Sequence, residues 1–213
     1  METSESSIWK QIWENIKAIA IALLIATLIR VFIAEPRYIP SDSMLPTLEI
    51  GDRIVVEKVS YYFQSPQQQD IVVFNPSEIL ESFGYDSDQA FIKRVIGEGE
   101  NTLAVKEGQV YINGEVIEEP YIKEPPNYEL PPLTVPRGKL FVLGDNRNNS
   151  NDSHIWGFLP KENVIGRAVF RFWPPDRVGF ISIPQEDVST HSTASRNVPA
   201  IKGSGIGVSS QEN

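Results

Sequence analysis

Two serines stand one residue apart in Pro40-Ser41-Asp42-Ser43-Met44-Leu45-Pro46-Thr47-Leu48, a few residues past the one strongly apolar stretch of the chain. A serine hydroxyl becomes a useful nucleophile only when a base removes its proton. The sequence holds two histidines, His154 and His191, and no cysteine. A thiol nucleophile, disulfides and zinc–thiolate sites are therefore excluded. His191 falls in a polar, serine-rich ending and is a poor candidate base. Lysine is another side chain that can take the proton, provided burial destabilises its ammonium form. Phe91-Ile92-Lys93-Arg94-Val95-Ile96-Gly97 offers such a lysine. As a strand it puts Phe91, Lys93 and Val95 on one face and Ile92, Arg94 and Ile96 on the other. Lys93 then sits between two apolar neighbours. Lys58 is a rival, in the wetter company of Glu57 and Ser60.

Taken singly, each feature has a plainer reading. Ser-Asp-Ser ahead of a proline suits a turn or a helix cap. A strand lysine can simply snorkel to solvent. The run Gly144-Asp145-Asn146-Arg147-Asn148-Asn149-Ser150-Asn151-Asp152-Ser153-His154 reads as a loop of Asx turns. What joins them is the order in which they follow the apolar segment.

That segment is uncharged from Ala18 to Ile29 and resumes after Arg30 as Val31-Phe32-Ile33-Ala34. A helix from Ile16 to Ala34 would rise roughly 28 Å, about one hydrocarbon core. Lys17 and Arg30 lie near its ends, where long basic side chains snorkel, and Trp9 and Trp13 suit the interface before it. Pro36 is expected to stop it. A cleaved signal peptide would need small residues at −3 and −1 of the cut, and Phe32 would stand at −3. A soluble core helix would be apolar along one stripe, not all round. A retained anchor is the reading that fits.

Beyond Pro40 the pattern turns to short strands: residues 54–59, 70–74, 91–96, 139–143 and 165–172, with a hairpin over 109–117 turning at Asn113-Gly114. Residues 75–90 and 118–137 read as loops or a small excursion from the main sheet. The expected organisation is an N-terminal flank (1–15), a transmembrane helix (16–35), a catalytic domain (36–183) and a flexible polar tail (184–213). With 213 residues, 41% hydrophobic and 22% charged, the chain can build one real core. Its net charge of −9 argues against a nucleic-acid partner, which needs clustered Lys and Arg.

Together the motifs resemble the type I signal peptidases, membrane-anchored serine proteases that remove signal peptides. The serine box is Ser41-Asp42-Ser43-Met44-Leu45-Pro46-Thr47. The next is Gly51-Asp52-Arg53-Ile54-Val55-Val56-Glu57-Lys58. The lysine box is Lys93-Arg94-Val95-Ile96-Gly97, and the last is Gly144-Asp145-Asn146-Arg147 with Ser150, Asp152 and Ser153. The resemblance covers most of residues 16–182. It implies Ser43 as nucleophile, Lys93 as general base, Ser41 as an oxyanion-hole hydroxyl and Ser150 as the group that holds the lysine. Arg94, Asp145, Arg147 and Asp152 would be structural at the site. It also implies a mainly β, antiparallel two-sheet catalytic domain after one N-terminal transmembrane helix. No cofactor or metal is implied. The expected partners are signal peptides with small residues at −1 and −3, and the lipid bilayer. The expected setting is a single pass through a plasma or thylakoid membrane, with the catalytic domain on the extracytoplasmic or lumenal side.

Two departures stand out. The family turn Gly-Leu-Pro-Gly-Asp reads Gly97-Glu98-Gly99-Glu100-Asn101 here, and His154 stands where the family often has arginine. Other readings remain open. A repressor-type serine–lysine autoprotease would carry a DNA-binding region. A catalytically silent anchored protein would have no need of Ser43, Lys93 and Ser150 together.

Overall fold

A computed structural model describes residues 3–181. The tail expected over 184–213, with His191, lies outside the described residues.

The first helix, α1, runs Thr3–Phe32, and its stretch Ile8–Phe32 has a mean hydropathy of 2.0. It starts earlier than the uncharged stretch alone suggests. Residues 8–17 hold no Gly or Pro to break it, and Glu14 and Lys17 pair along one face at 2.8 Å. None of its most apolar window is buried against the protein. A helix this long and apolar, bare on every side, is what a bilayer crossing requires.

The helix ends before the expected stop at Pro36, because Ala34–Tyr38 pairs as strand β1 with β2, Arg53–Glu57. Pro36 is tolerated there because β1 is an edge strand. The remaining elements are β3 (Ile71–Phe74), α2 (Glu78–Ser82), β4 (Phe91–Glu98), β5 (Thr102–Lys106), β6 (Gln109–Ile112), β7 (Glu115–Val116), β8 (Leu130–Thr134), β9 (Lys139–Leu143), α3 (Ser153–Trp156), β10 (Leu159–Pro160), β11 (Val164–Trp173) and β12 (Gly179–Phe180). All strand pairs are antiparallel. The main sheet is ordered β1-β2-β11-β3-β4-β9-β10, with β12 paired to β11. The second sheet, β7-β6-β5-β8, contains the expected 109–117 hairpin as β6 and β7, and the stretch expected as loop or excursion at 118–137 gives it β8. The domain is thus mainly β and two-sheeted.

β4 ties the core together because its side chains alternate. Ile92 joins Ile71 and Val73 in one apolar cluster with Met44 and Leu48. Val95 joins Val72, Phe74, Val142 and Trp156 in a second, with Phe91 packed against it. Ile96 joins Leu103, Val110 and Phe141 in a third, under the small sheet. Lys93 is paired in register with fully buried Val72. A lysine in the middle of such a strand cannot reach bulk water.

The turn after β4 lacks the proline of the family pattern. It is closed by Asn101, whose Oδ1 accepts the Glu98 N–H at 2.8 Å. Glu100 there has φ 77° and pairs with Arg137 at 2.7 Å.

Candidate active site

The Ser41–Ser43 segment follows the edge strand β1 and brings Ser43 against Lys93 of β4. Three contacts hold it against the loop after β9. The Asn146 N–H donates to the Ser43 carbonyl at 3.0 Å. The Asn146 amide donates to the Asp42 carbonyl at 3.1 Å, and the Asn149 amide to the Asp42 carboxylate at 2.8 Å. Gly144 makes this closeness possible. A Cβ there would collide with the Ser43 carbonyl oxygen and with Ser150 Oγ.

Lys93 Nζ lies 2.8 Å from Ser43 Oγ and 3.1 Å from the Ile92 carbonyl. Ser43 is 7% exposed and Lys93 4%. Burial pulls the lysine down to about 8, partly opposed by the negative charges of Asp152 and Asp145. The amine therefore reaches its neutral form near physiological pH. Neutral nitrogen can accept the hydroxyl proton across the same contact. Ser41 is exposed, with its hydroxyl 3.3 Å from Ser43 Oγ. Among the described residues the Ser43 N–H makes no hydrogen bond. Ser150 Oγ is buried within the same cluster, yet it has no hydrogen-bond partner among the described residues, Lys93 included.

The charged residues form a frame around this pair. Arg94 grips Asp145 with two nitrogens, at 2.8 and 2.6 Å, and its guanidinium lies 3.9 Å over the Tyr121 ring. Thr47 Oγ1 donates to the same carboxylate at 2.5 Å, which ties the serine loop to the frame. Arg147 forks onto Glu119 at 2.6 and 2.5 Å. Burial opposes the Arg147 charge, but Glu119 outweighs it and raises the guanidinium pKa. Asp152 accepts the Gly144 N–H at 2.9 Å and caps α3 through the His154 N–H at 3.2 Å. It also meets His154 Nδ1 at 2.6 Å. Tyr128 stacks on the His154 ring, 4.1 Å between centroids.

Lys58 is remote from Ser43. Its amine binds at the end of α1, through the Arg30 and Val31 carbonyls and Glu35. Glu119, Tyr121, Thr47 and Asn146 are the frame residues that sequence reasoning did not single out. Glu119 and Tyr121 sit in the Pro- and Glu-rich stretch 118–137, read as loop or a small excursion, and no local signal marks them.

Residues 12–173 match the profile of the family described as signal peptidase, peptidase S26. The chain belongs to that family. A probable signal peptidase I-1 of Synechocystis is 61% identical over 171 residues, which cover 80% of this chain and 87% of the relative. The signal peptidase I of Leptolyngbya laminosa is 53% identical, with 80% and 84% covered. The chloroplastic thylakoidal processing peptidase 1 of Arabidopsis thaliana is 48% identical over 78% of this chain and 49% of the longer relative. The four boxes, Ser41–Thr47, Gly51–Lys58, Lys93–Gly97 and Gly144–Ser153, lie within the matched residues of this peptidase family.

Proposed function

We propose that this chain is a signal peptidase I that removes N-terminal signal peptides from exported preproteins, with Ser43 as nucleophile and Lys93 as general base. The observation that carries the reading is the buried 2.8 Å contact between Lys93 Nζ and Ser43 Oγ. Neutral Lys93 takes the Ser43 proton, and Oγ attacks the scissile carbonyl carbon. The oxyanion that forms is met by the Ser43 N–H and the Ser41 hydroxyl. The C–N bond then breaks, and the Lys93 ammonium gives its proton to the leaving amine. A water deprotonated by Lys93 hydrolyses the acyl ester and frees the signal peptide as a carboxylate.

The substrate would lie extended, with small side chains at −1 and −3 in shallow apolar pockets. α1 would hold the enzyme in the bilayer that also holds the substrate's apolar segment. The catalytic domain would then face the extracytoplasmic or lumenal side of a plasma or thylakoid membrane. The kinship with cyanobacterial and thylakoidal relatives supports that setting.

The test is cleavage of a preprotein by detergent-solubilised full-length protein. Wild type cuts it, while Ser43→Ala and Lys93→Ala leave it whole and still unfold cooperatively as folded domains. Near-normal turnover in Lys93→Ala would sink the assignment.

A further inference from the structure

A membrane helix commonly joins its soluble domain through a linker, and here it does not. α1 ends at Phe32 and β1 begins at Ala34, with Ile33 alone between them. The last carbonyls of a helix have no partner within it, and at a membrane exit such groups are costly to leave bare. Lys58 satisfies three of the carbonyls at this junction. Its backbone N–H donates to the Ile33 carbonyl at 2.9 Å. Its amine reaches the Arg30 carbonyl at 3.2 Å and the Val31 carbonyl at 3.4 Å. The same amine pairs with Glu35 at 2.8 Å, and Arg37 Nε holds the other oxygen of Glu35 at 2.6 Å. A cation at a helix C-terminus also complements the helix dipole.

Lys58 directly follows β2, and Glu35 lies on β1, which pairs with β2 from Ala34 opposite Glu57 onward. One side chain therefore fastens the helix end to two strands of the main sheet. β1 then leads through Ile39 and Pro40 straight to Ser41 and Ser43. We infer that Lys58 is a positioning residue that sets the height and tilt of the Ser43 site over the bilayer, so that it meets bonds at one fixed distance from a membrane-held apolar segment. The inference rests on the proposed peptidase activity toward membrane-held substrates. A substrate held in the same bilayer presents its scissile bond at a set height. Tethered partners gain most when their spans match.

The experiment uses full-length chain in phosphatidylcholine–phosphatidylglycerol vesicles. It compares wild type, Lys58→Met, Lys58→Arg and Glu35→Gln on two substrates. One is a preprotein with its apolar segment; the other is a short soluble peptide with the same cleavage sequence. Misplacement by about 1 Å can cost about a hundredfold, so Lys58→Met should lose at least tenfold in kcat/KM on the preprotein. Its cleavage of the peptide should not change. Glu35→Gln should show a milder form of the same split, and Lys58→Arg should recover part of the loss. The second measurement does not depend on activity. The chain has no cysteine, so spin labels on Leu24→Cys and Glu124→Cys report the separation of helix and domain, which changes with their tilt. Lys58→Met should broaden a narrow distance distribution. Equal loss on both substrates, no loss on either, or an unchanged distribution would each overturn the positioning role. A wild type that cuts neither substrate would overturn the peptidase reading instead, and the label distances would still judge the clasp.

Discussion

Asp145 takes two hydrogen bonds from Arg94 in a place where neither side chain is more than 1% exposed. Breaking such a pair leaves a buried charge without a partner and costs about 3–5 kcal/mol. Asp145→Asn keeps the shape and removes the charge, so it should destabilise the protein by that amount in thermal or denaturant unfolding. A change below about 1 kcal/mol would mean that water reaches Arg94 as at a surface pair. The substitution also removes one of the two negative charges that hold the Lys93 pKa up. The surviving folded protein should therefore release the Lys93 proton at lower pH than wild type.

Lys93 itself predicts two opposite-looking pH effects with one cause. Burial pulls its pKa from the ordinary 10.5 to about 8. A general base works only when neutral, so under the proposed role kcat/KM should rise as pH increases through about 8 and then level off. For stability, the unfolded chain holds the lysine proton up to about pH 10.5, while the folded chain has lost it by about 8. Between those values the unfolded state binds more protons, so stability rises with pH. The lowered pKa corresponds to about 3 kcal/mol of burial penalty on the charged amine. Lys93→Met should be inactive, more stable than wild type below pH 8, and free of this rise. Lys93→Arg should be inactive throughout, because a guanidinium keeps its proton. Activity that is flat from pH 6 to 10 would remove Lys93 from the role of base.

Ser41 and Ser150 separate by what their loss would move. Ser41 is exposed with its hydroxyl 3.3 Å from Ser43 Oγ, and the proposed mechanism gives it the oxyanion. Ser41→Ala should lower kcat by about 10²–10³ with no shift in the pH profile. Ser150 Oγ is buried and unpartnered among the described residues. If its hydroxyl steadies the Lys93 amine during turnover, Ser150→Ala deepens the desolvation of that amine. The rise in activity should then move to lower pH, with a loss in kcat. A Ser150→Ala profile that overlays wild type would leave the Ser150 hydroxyl with no part in the chemistry.

The sequence showed the Ser43–Lys93 pairing because local patterns carried both partners. Alternation around Lys93 predicted its apolar setting, and register opposite Val72 supplies that setting. β9 was legible to the residue, and Asn113-Gly114 turns its hairpin with φ 53° and 88°, as a type I′ turn requires. β5, Thr102–Lys106, went unread although its residues suit a strand, because it is only five residues long and follows β4 after one short turn. In two other missed strands, local signals contradict tertiary position. β8 reads Leu-Pro-Pro-Leu-Thr and survives only because it lies on a sheet edge. β1 holds Pro36 for the same reason. The frame around the site was less legible. Thr47 meets Asp145 and Arg147 meets Glu119 through folds of the chain that no local pattern encodes.

The soluble part of the chain should fold without its helix, but the cut must respect the edges of the main sheet. A fragment starting at Pro36 would drop the Ala34–Glu57 and Glu35–Val56 pairings. One ending at Arg177 would lose β12 and the Ile181 side chain that packs on the core beneath Met44 and Leu48. Residues 34–181 keep all of these, and they leave Arg177 bound to Asp52 at 3.1 Å and Glu49 at 2.8 Å. This fragment should show cooperative unfolding and cleave a short peptide. In lipid vesicles it should cleave a preprotein far more slowly than the full-length chain. Anchoring makes the encounter intramolecular in effect, and avidity of that kind can be worth 10² or more (about 10²–10⁴). Exposed Tyr62, Phe63, Phe172 and Trp173 would restore only part of it by resting at the interface. The measurement is initial cleavage rate against enzyme per lipid for both forms. Equal rates in vesicles would mean that anchoring by α1 adds nothing to cleavage.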